Sequence, residues 1–264
     1  MALLRVATFN LLHGMEPASG ATDPDALGDA VRAIDADVIG LQEVDRGQPR
    51  TGGIDQTALV AGALGAVAWR FAPSVHGTPS EDPSWLPSTA ADGSATVGPT
   101  YGIGLVSRLP VRGWWVRRFP AAPFRLPLLV PDSGRPRLVR IPDEPRVALA
   151  AVLSGPSGPF TVVTAHLSFV PGWNARQLRA IARWVVRMPQ PVLLIGDFNL
   201  PGPVPSRLTG WTALASGPTY PAPAPKVQLD HILALGLGPD RVSDHHVWTL
   251  PVSDHRAISA DLSV

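Results

Sequence analysis

Cysteine is absent from the 264 residues of this chain. Its absence excludes disulfide frameworks, zinc fingers, thiolate metal sites and cysteine nucleophiles. It leaves the compartment open, because a cysteine-free chain is stable in either redox environment. Charge is also scarce: Asp, Glu, Lys and Arg make up 16% of the residues, against about 25% in typical soluble domains, and the formal net charge is +1. A uniformly basic surface of the histone kind is therefore excluded.

Long apolar runs are missing as well. No stretch approaches the ~18 consecutive apolar residues that a membrane-spanning helix needs, so we expect no membrane span. The first residues do not resemble a signal peptide, because Arg5, Asn10 and His13 interrupt the apolar region that one requires. Together these observations predict a cytoplasmic protein, and nothing in the sequence indicates an obligatory protein partner.

The composition that remains is that of a folded chain with many turns. Hydrophobic residues make up 45% of it, which is enough for a sizeable core, and there are 25 glycines and 30 prolines. Without a linker or an internal repeat, residues 1–264 are expected to form a single domain. Two segments are expected to be long loops. Residues 72–100 are rich in Pro, Ser, Gly and Thr, and residues 120–145 contain seven prolines.

Hydrophobic periodicity predicts more strands than helices. Strands are expected over 3–11, 37–42, 66–71, 101–107, 113–119, 146–153, 159–165, 191–196, 227–234, 246–250 and 256–262. One helix should begin at Asp23–Pro24, a second should cover 55–64, and a third should cover 175–187 behind an Asn174–Gln177 capping box. Strands interleaved with helices indicate two packed sheets with helices outside them.

Polar residues that bind metals or carry protons recur at the ends of the predicted strands. They are Asn10, Glu43, His166, Asp197, Asn199, Asp230, His231, Asp254 and His255. Strand ends hold their side chains at one edge of a sheet with little freedom, so an active site built there is geometrically natural.

The chemical types of these residues fit one reaction class. Glu43, Asp254 and Asn10 offer hard oxygen ligands, which suit Mg²⁺ or Mn²⁺. The histidines and the other aspartates remain for proton transfer and anion stabilisation. Such a set suits phosphoester hydrolysis, in which cationic groups neutralise the phosphate while a carboxylate aligns the attacking water.

Seven short motifs occur in a fixed order along the chain. They are TFN (8–10), LQEV (41–44), YGIGLVSR (101–108), TAHL (164–167), GDFN (196–199), LDHIL (229–233) and SDHRAI (253–258). Together they resemble the endonuclease/exonuclease/phosphatase family, and the resemblance runs from about residue 5 to residue 262. It implies a four-layer α/β/β/α sandwich of two packed mixed sheets with outer helices, and a divalent-metal phosphoesterase with its site at the top of both sheets.

The resemblance also implies roles for the strand-end residues. Glu43 resembles the principal Mg²⁺ ligand, helped by Asn10 and Asp254, with Mn²⁺ as a substitute ion. Asp197 resembles the residue that orients or deprotonates the nucleophilic water, with Asn199 beside it.

Two histidines and two further residues match the phosphate side of the family pattern. His255 would contact the scissile phosphate and be held by Asp230, and His166 would stabilise the pentacovalent phosphorus or assist the leaving oxygen. Arg146 is similar in place to a phosphate-binding arginine, and Tyr101 to a phosphate-contacting tyrosine.

The sequence departs from the abasic-site endonucleases of that family at two positions. They carry an aspartate two residues after the first asparagine, where this chain has Leu12, and their QET motif is replaced by Gln42-Glu43-Val44. Repair-nuclease specificity is therefore not implied. In addition, the motif VSDH occurs twice, at 242–245 and 252–255. We assign the second copy to the site, because Arg-Ala-Ile and a closing strand follow it.

The substrate is predicted from one basic segment. Residues 108–146 contain nine arginines and three acids, with Trp114, Trp115, Phe119 and Phe124 among them. Arginine with aromatic residues binds nucleic-acid backbones and bases, so a phosphodiesterase acting on nucleic acid is the leading prediction. The alternatives are hydrolysis of a phospholipid, as by a sphingomyelinase, or of a small phosphorylated molecule, and a scaffold that has lost its chemistry.

Overall fold

A computed structural model describes residues 3–78, 85–89, 98–130 and 137–263. Within these ranges the strands are β1 (Leu3–Asn10), β2 (Val38–Arg46), β3 (Ala68–His76), β4 (Leu86–Pro87), β5 (Thr100–Ser107), β6 (Val111–Phe119), β7 (Arg125–Val130), β8 (Arg137–Pro142), β9 (Arg146–Gly155), β10 (Gly158–His166), β11 (Val192–Asp197), β12 (Thr212–Ala213), β13 (Asp230–Leu235), β14 (Val242–Trp248) and β15 (Ala257–Ser263). The α-helices are α1 (Pro24–Ile34), α2 (Gln56–Leu64), α3 (Trp173–Val185) and α4 (Val204–Thr209). None of the described helices is long and apolar enough to cross a membrane.

The strands form two large mixed sheets. One has the order β14-β15-β1-β2-β5-β3-β4 and the other the order β12-β13-β11-β10-β9-β6, while β7 and β8 pair separately. In the first sheet β1 and β2 are parallel, and in the second β10 and β11 are parallel. The neighbouring strands β15, β5, β9 and β13 run antiparallel to them. The carboxyl ends of the parallel strands and the amino ends of their antiparallel neighbours therefore share one edge of each sheet.

Three apolar clusters separate four layers. The first lies between the sheets and joins residues such as Val6 and Leu105 to Leu149 and Ile195. The second packs α1 and α2 on the outer face of the first sheet, and the third packs α3 on the outer face of the second. This arrangement confirms the predicted α/β/β/α sandwich.

A buried polar chain crosses between the two sheets. The Thr8 hydroxyl donates to Gln42 Oε1 (3.1 Å), and Gln42 Nε2 donates to the Thr164 hydroxyl (3.0 Å). Gly40 permits this close approach, because a Cβ there would lie 2.5 Å from the Thr164 hydroxyl oxygen. Satisfied buried hydrogen bonds fix a unique alignment of the layers, here two residues before the strand ends at Asn10 and His166.

The start of α1 agrees with the sequence prediction, whereas the start of α3 differs from it. α1 begins as predicted, with Pro24 in its first turn and Asp23 accepting a hydrogen bond from the Asp25 amide. The capping box predicted at Asn174 and Gln177 is wrong, because α3 begins earlier, at Trp173. Asn174 Nδ2 instead donates to the Asn199 carbonyl, and Gln177 Oε1 accepts from the Ser168 amide.

Two segments predicted as loops contain strands. β3 extends to His76 and β4 covers Leu86–Pro87, so residues 72–100 are not one continuous loop, although residues 79–84 and 90–97 lie outside the described residues. Residues 120–145 include β7 and β8, which pair with each other. Proline lacks only the amide donor, so it is compatible with a two-stranded ribbon in which every strand is an edge. The strands predicted over 227–234 and 246–250 are found at 230–235 and 242–248.

Candidate active site

The predicted site residues meet at the shared edge of the two sheets. Asn10 ends β1, His166 ends β10 and Asp197 ends β11, while Asp230 begins β13 and Arg146 begins β9. The remaining members come from the same edge: Glu43 in β2, Tyr101 in β5, Asn199 after β11, and Asp254 and His255 before β15. All ten predicted residues therefore lie at the edge that the strand directions create.

Three of the local backbone conformations are unusual for residues with side chains. Glu43, Asn199 and Ser253 have φ angles of +54°, +49° and +76°. The β2–β5 ladder shifts register between Leu41 and Val44, so Glu43 sits in a bulge that re-aims its side chain. Left-handed non-glycine residues are sparse, and they cluster at functional sites where packing enforces them.

The carboxylate of Asp197 is the centre of the cluster. Its Oδ2 accepts a hydrogen bond from Asn10 Nδ2 (3.1 Å), and its Oδ1 accepts one from the Asn199 amide (2.9 Å). Two histidine nitrogens face the same Oδ2 at greater distances, His166 Nε2 at 3.5 Å and His255 Nε2 at 3.8 Å. Burial raises the pKa of Asp197 to about 7, against the pull of the nearby His255 charge. A carboxyl group poised near neutral pH is suited to act as a base.

His255 is held as a cation by Asp230. The His255 Nδ1 and Asp230 Oδ2 atoms lie 2.9 Å apart, and both residues are buried. Burial disfavours the imidazolium, but the carboxylates of Asp230 and Asp197 outweigh it and raise the pKa of His255 to about 10. A buried cation at this position can stabilise negative charge that develops on a phosphate.

His166 has the opposite character. Burial lowers the pKa of His166 well below its ordinary value, helped by the Arg146 and His255 charges. Arg146 Nη1 lies 3.1 Å from His166 Nδ1, and a guanidinium group can only donate. Nδ1 is therefore the acceptor and the neutral ring carries its proton on Nε2, the nitrogen that faces Asp197.

Arg146 differs in setting from an exposed phosphate ligand. Its side chain is buried, and Nη1 also forms an ion pair with Glu144 Oε1 at 2.8 Å. Asp143 lies on its other side, with Oδ1 at 3.8 Å from Nη2. The guanidinium thus contacts Glu144 and His166. It lies on the Nδ1 side of the His166 ring, whereas Asp197 lies on the Nε2 side.

The oxygen donors fit a hard divalent cation. Glu43 and Asp254 lie at the partly exposed mouth of the site, whereas Asn10 is fully buried. Burial raises the pKa of Glu43, and the Asp254 charge raises it further. Burial also raises the pKa of Asp254. Clustered carboxylates of this kind are stabilised by a cation such as Mg²⁺. Asn10 Nδ2 donates to Glu43 Oε1 (3.0 Å), so Asn10 orients the glutamate.

A second set of ligand atoms lies nearby. Asp197, Asp230 and His255 each place one such atom within 4.8 Å of the other two. In that group the Asp230 carboxylate is already paired with His255, whose Nδ1 lies 2.9 Å from Asp230 Oδ2. Glu43 and Asp254 are therefore the better candidates.

Tyr101 lines the same region but is almost fully buried. It is 6% exposed, and the Arg50 guanidinium lies 5.8 Å from its ring centre. Burial raises the pKa of Tyr101 well above its ordinary value, with a further contribution from Glu43. The phenol is consequently neutral and can serve as a hydrogen-bond donor near Glu43 and Arg146.

The two copies of VSDH differ in exposure and in their distance from the site. Asp244 and His246 form an exposed pair at 3.0 Å on β14, which is an edge strand. The second copy supplies Asp254 and His255 to the site, as the sequence analysis assigned.

Several supporting residues were not identified from the sequence. Ser253 donates its hydroxyl to the Asn10 carbonyl (2.6 Å) and accepts from the His255 amide (3.0 Å), so it joins β1 to the histidine. Thr219 accepts from the Asp230 amide (3.3 Å) and thereby positions the partner of His255. Glu144, which anchors Arg146, is the third. The place of Ser253 in the SDHRAI motif could have indicated a role at the site. Thr219 and Glu144 can be recognised only from their tertiary contacts.

His231 supports the loop after β11 and makes stability depend on pH. Its Nε2 donates to the Leu200 carbonyl (2.8 Å), and its ring stacks on Phe198. Burial lowers the pKa of His231 from 6.5 to about 4. Between about pH 6.5 and pH 4 the unfolded chain therefore binds a proton at this histidine and the folded chain does not. The free energy of unfolding is unaffected by His231 above about pH 6.5 and decreases as the pH falls towards 4.

Replacing His231 with glutamine should flatten this acid dependence. We expect the loss of unfolding free energy between pH 7 and pH 4 to be smaller by on the order of 3 kcal/mol in His231→Gln. Urea unfolding at several pH values measures it. His245→Gln, at an exposed position on β14, is the matched control. Parallel pH curves for wild type and His231→Gln would contradict the assignment.

Comparison with known proteins places the chain among phosphoester hydrolases. Residues 7–255 match the model of the Endonuclease/Exonuclease/phosphatase family. No curated protein sequence matches the chain.

Solved structures share the fold over the whole chain. An endonuclease/exonuclease/phosphatase from Beutenbergia cavernae DSM 12333 is 23% identical with a TM-score of 0.65, over 100% of this chain and 72% of its own. A mannosyl-6-phosphatase from Bacteroides thetaiotaomicron VPI-5482 is 16% identical with a TM-score of 0.61, over 99% and 100%. Sphingomyelinase C from Streptomyces griseocarneus is 15% identical with a TM-score of 0.58, over 100% of both chains.

Proposed function

Because the chain belongs to the endonuclease/exonuclease/phosphatase family of metal-dependent phosphoester hydrolases, we propose that it is a Mg²⁺-dependent phosphodiesterase acting on nucleic acid. The observation that carries the proposal is the convergence of Asn10, His166 and His255 on the Asp197 carboxylate. A base flanked by one neutral and one cationic histidine matches the needs of in-line attack on a phosphoester.

Each residue has a task in this proposal. Glu43 and Asp254 would hold the Mg²⁺ ion, which when bound supplies charge neutralisation for the phosphate. Asp197 orients the attacking water and accepts its proton, while Asn199 is positioned beside it. His255 stabilises the developing charge with Asp230 behind it. His166, as a neutral ring, donates a hydrogen bond from Nε2 towards the leaving oxygen.

A substrate panel tests the reaction class and its substrate. Supercoiled DNA, single-stranded RNA, bis-p-nitrophenyl phosphate, p-nitrophenyl phosphate and sphingomyelin are each assayed with Mg²⁺ or Mn²⁺. We expect the diesters to be hydrolysed, nucleic acids with the highest kcat/KM. Preference for p-nitrophenyl phosphate or for sphingomyelin would replace nucleic acid with a small phosphomonoester or a phospholipid.

The two copies of VSDH give an internal control for this assay. Asp254→Ala should lose at least about 100-fold in kcat/KM, because it removes a metal ligand. Asp244→Ala, on the exposed face of β14, should stay within about twofold of wild type, as surface positions away from the site usually do. Equal losses in the two variants would show that the site assignment is wrong.

Arg146 is proposed to position His166 rather than to bind substrate directly. Arg146→Lys keeps the charge beside Glu144, but the lysine Nζ lies one bond closer to the backbone than Nη1, the atom that contacts both Glu144 and His166. We expect kcat to fall about tenfold or more while KM changes little, since the proton on His166 is no longer fixed on Nε2. Nitrogen NMR of the His166 ring should show mixed tautomers.

The control for this variant is Arg112→Lys, an exposed position at the far end of β6. A raised KM with unchanged kcat and an unchanged tautomer in Arg146→Lys would instead support a direct phosphate contact, the role that the family resemblance implies.

A further inference from the structure

A groove between β6 and α3 is lined by arginine and aromatic side chains. Its volume is about 350 Å³, within the ~300–1,000 Å³ range of ligand sites. Its arginines are Arg117, Arg176, Arg179 and Arg183, and its rings are Phe119 and Trp173. We call these six residues the arginine groove.

The charge of the arginine groove is unusually one-sided. The whole chain balances 22 basic residues against 21 acidic ones, yet no acidic residue among those described lines this groove. Within the described part of the chain, none of its four arginines has a carboxylate at salt-bridge distance. Three of them follow the helical spacing 176, 179 and 183, so they lie on one exposed face of α3. Like charges at such spacings repel, which a bound polyanion would relieve.

The rings are arranged with the guanidinium groups. Arg176 lies 5.1 Å from the Trp173 ring centre, and Arg117 lies 5.6 Å from that of Phe119. Trp173 is fixed by its indole nitrogen, which donates to the Pro120 carbonyl (3.2 Å). Guanidinium planes and aromatic faces are the surfaces on which single-stranded nucleic acids stack.

The arginine groove begins beside the candidate active site. Phe119 pairs with Arg146 in the β6–β9 ladder, and Arg146 contacts His166. On the other wall, Asn174 at the start of α3 donates to the carbonyl of Asn199 (2.8 Å). From Trp173 to Arg183 the helix rises by roughly 15 Å, away from the catalytic edge. A strand whose phosphate lies at Asp197 can therefore continue along the groove.

We propose that the arginine groove binds the segment of a single-stranded nucleic acid that flanks the scissile phosphodiester. This inference rests on the proposed function for its connection to the active site, whereas binding in the groove is measurable without catalysis. A concave groove favours an extended strand over a membrane, since a planar bilayer cannot enter it.

The experiment compares two variants that remove the same net charge. Arg179→Ala/Arg183→Ala removes two of the four groove arginines, and Arg32→Ala/Arg112→Ala removes two exposed arginines elsewhere. Binding of a fluorescent single-stranded oligothymidylate is measured by anisotropy in EDTA, where hydrolysis is absent. We expect the Kd of the groove variant to be about tenfold above that of the control, and its slope of log affinity against log salt to be shallower by about 1.4, or ~0.7 for each lost contact.

Equal affinity and salt slope in the two variants would overturn the proposal. So would a groove variant that loses binding only to phosphatidylserine vesicles, which would assign the groove to anionic lipid. Hydrolysis separates this test from the proposed function: the ratio of kcat/KM for the oligonucleotide to that for bis-p-nitrophenyl phosphate should fall in the groove variant. A wild type that binds through the groove but cleaves no diester would refute the proposed function and leave the groove assignment intact.

Discussion

Asp197→Asn is expected to lower kcat for bis-p-nitrophenyl phosphate by about 10²–10⁴-fold, the contribution of a positioned base. The carboxylate is the common partner of Asn10, the Asn199 amide and the two histidines. An asparagine cannot accept a proton from water, and its NH₂ group would face one of these donors. Steady-state kinetics with Mg²⁺ over a range of pH measures the loss.

The stability of this variant should move in the opposite direction. Burial raises the pKa of Asp197 from 3.8 to about 7, so the folded protein favours the protonated form. Ionisation therefore reduces stability as the pH rises above the unfolded value, and a neutral asparagine avoids that loss. In EDTA at alkaline pH, the Tm of Asp197→Asn should equal or exceed that of wild type. Asp244→Asn is the matched exposed control. Near-normal kcat in Asp197→Asn would exclude Asp197 as the base.

Glu43→Gln is expected to lower Mg²⁺-dependent activity by about 10²–10³-fold, because a bound metal contributes several kcal/mol to transition-state stabilisation. Glutamine retains the size of the side chain and one oxygen but removes the charge that attracts the cation. Glu43 is also the carboxylate that Asn10 orients. Isothermal titration with Mg²⁺ alone should show weaker binding, independently of the activity assay.

Glu16→Gln gives the corresponding control, since Glu16 is exposed and lies outside the cluster. Its Mg²⁺ affinity and kcat should match those of wild type. Wild-type rates for Glu43→Gln at limiting Mg²⁺ would show that the metal is held elsewhere, with Asp197, Asp230 and His255 as the next set to test.

The sequence was informative where a local pattern has one structural reading. Apolar runs that end in a polar residue marked the strand ends at Asn10, His166 and Asp197, and a common edge followed from strand direction. The Asp23–Pro24 pair located the start of α1 and its cap. The ordered motifs indicated the family, and through it the sandwich fold, because they span nearly the whole chain.

The sequence was misleading where composition and tertiary pairing disagree. Pro73 and Ser74 interrupt the expected strand pattern, yet β3 continues through them because β5 supplies partners on either side of a register shift. Among the described strands β7 and β8 pair only with each other, so each has one unpaired edge, where proline is tolerated. Asn174 reads as a helix cap, but its side chain is used by the Asn199 carbonyl.

By itself, the sequence determined the residue types at the candidate site and their order along the strands, and it predicted that Asp254 and His255 belong to this site. Only the tertiary structure decided what each group touches. Arg146 and His166 are 20 residues apart, and their contact determines which histidine nitrogen carries the proton. Arg117 and Arg183 are further apart still, and they line one groove because α3 packs against the face of the sheet that contains β6. Protonation states and binding surfaces depend on distances between side chains, and packing sets those distances.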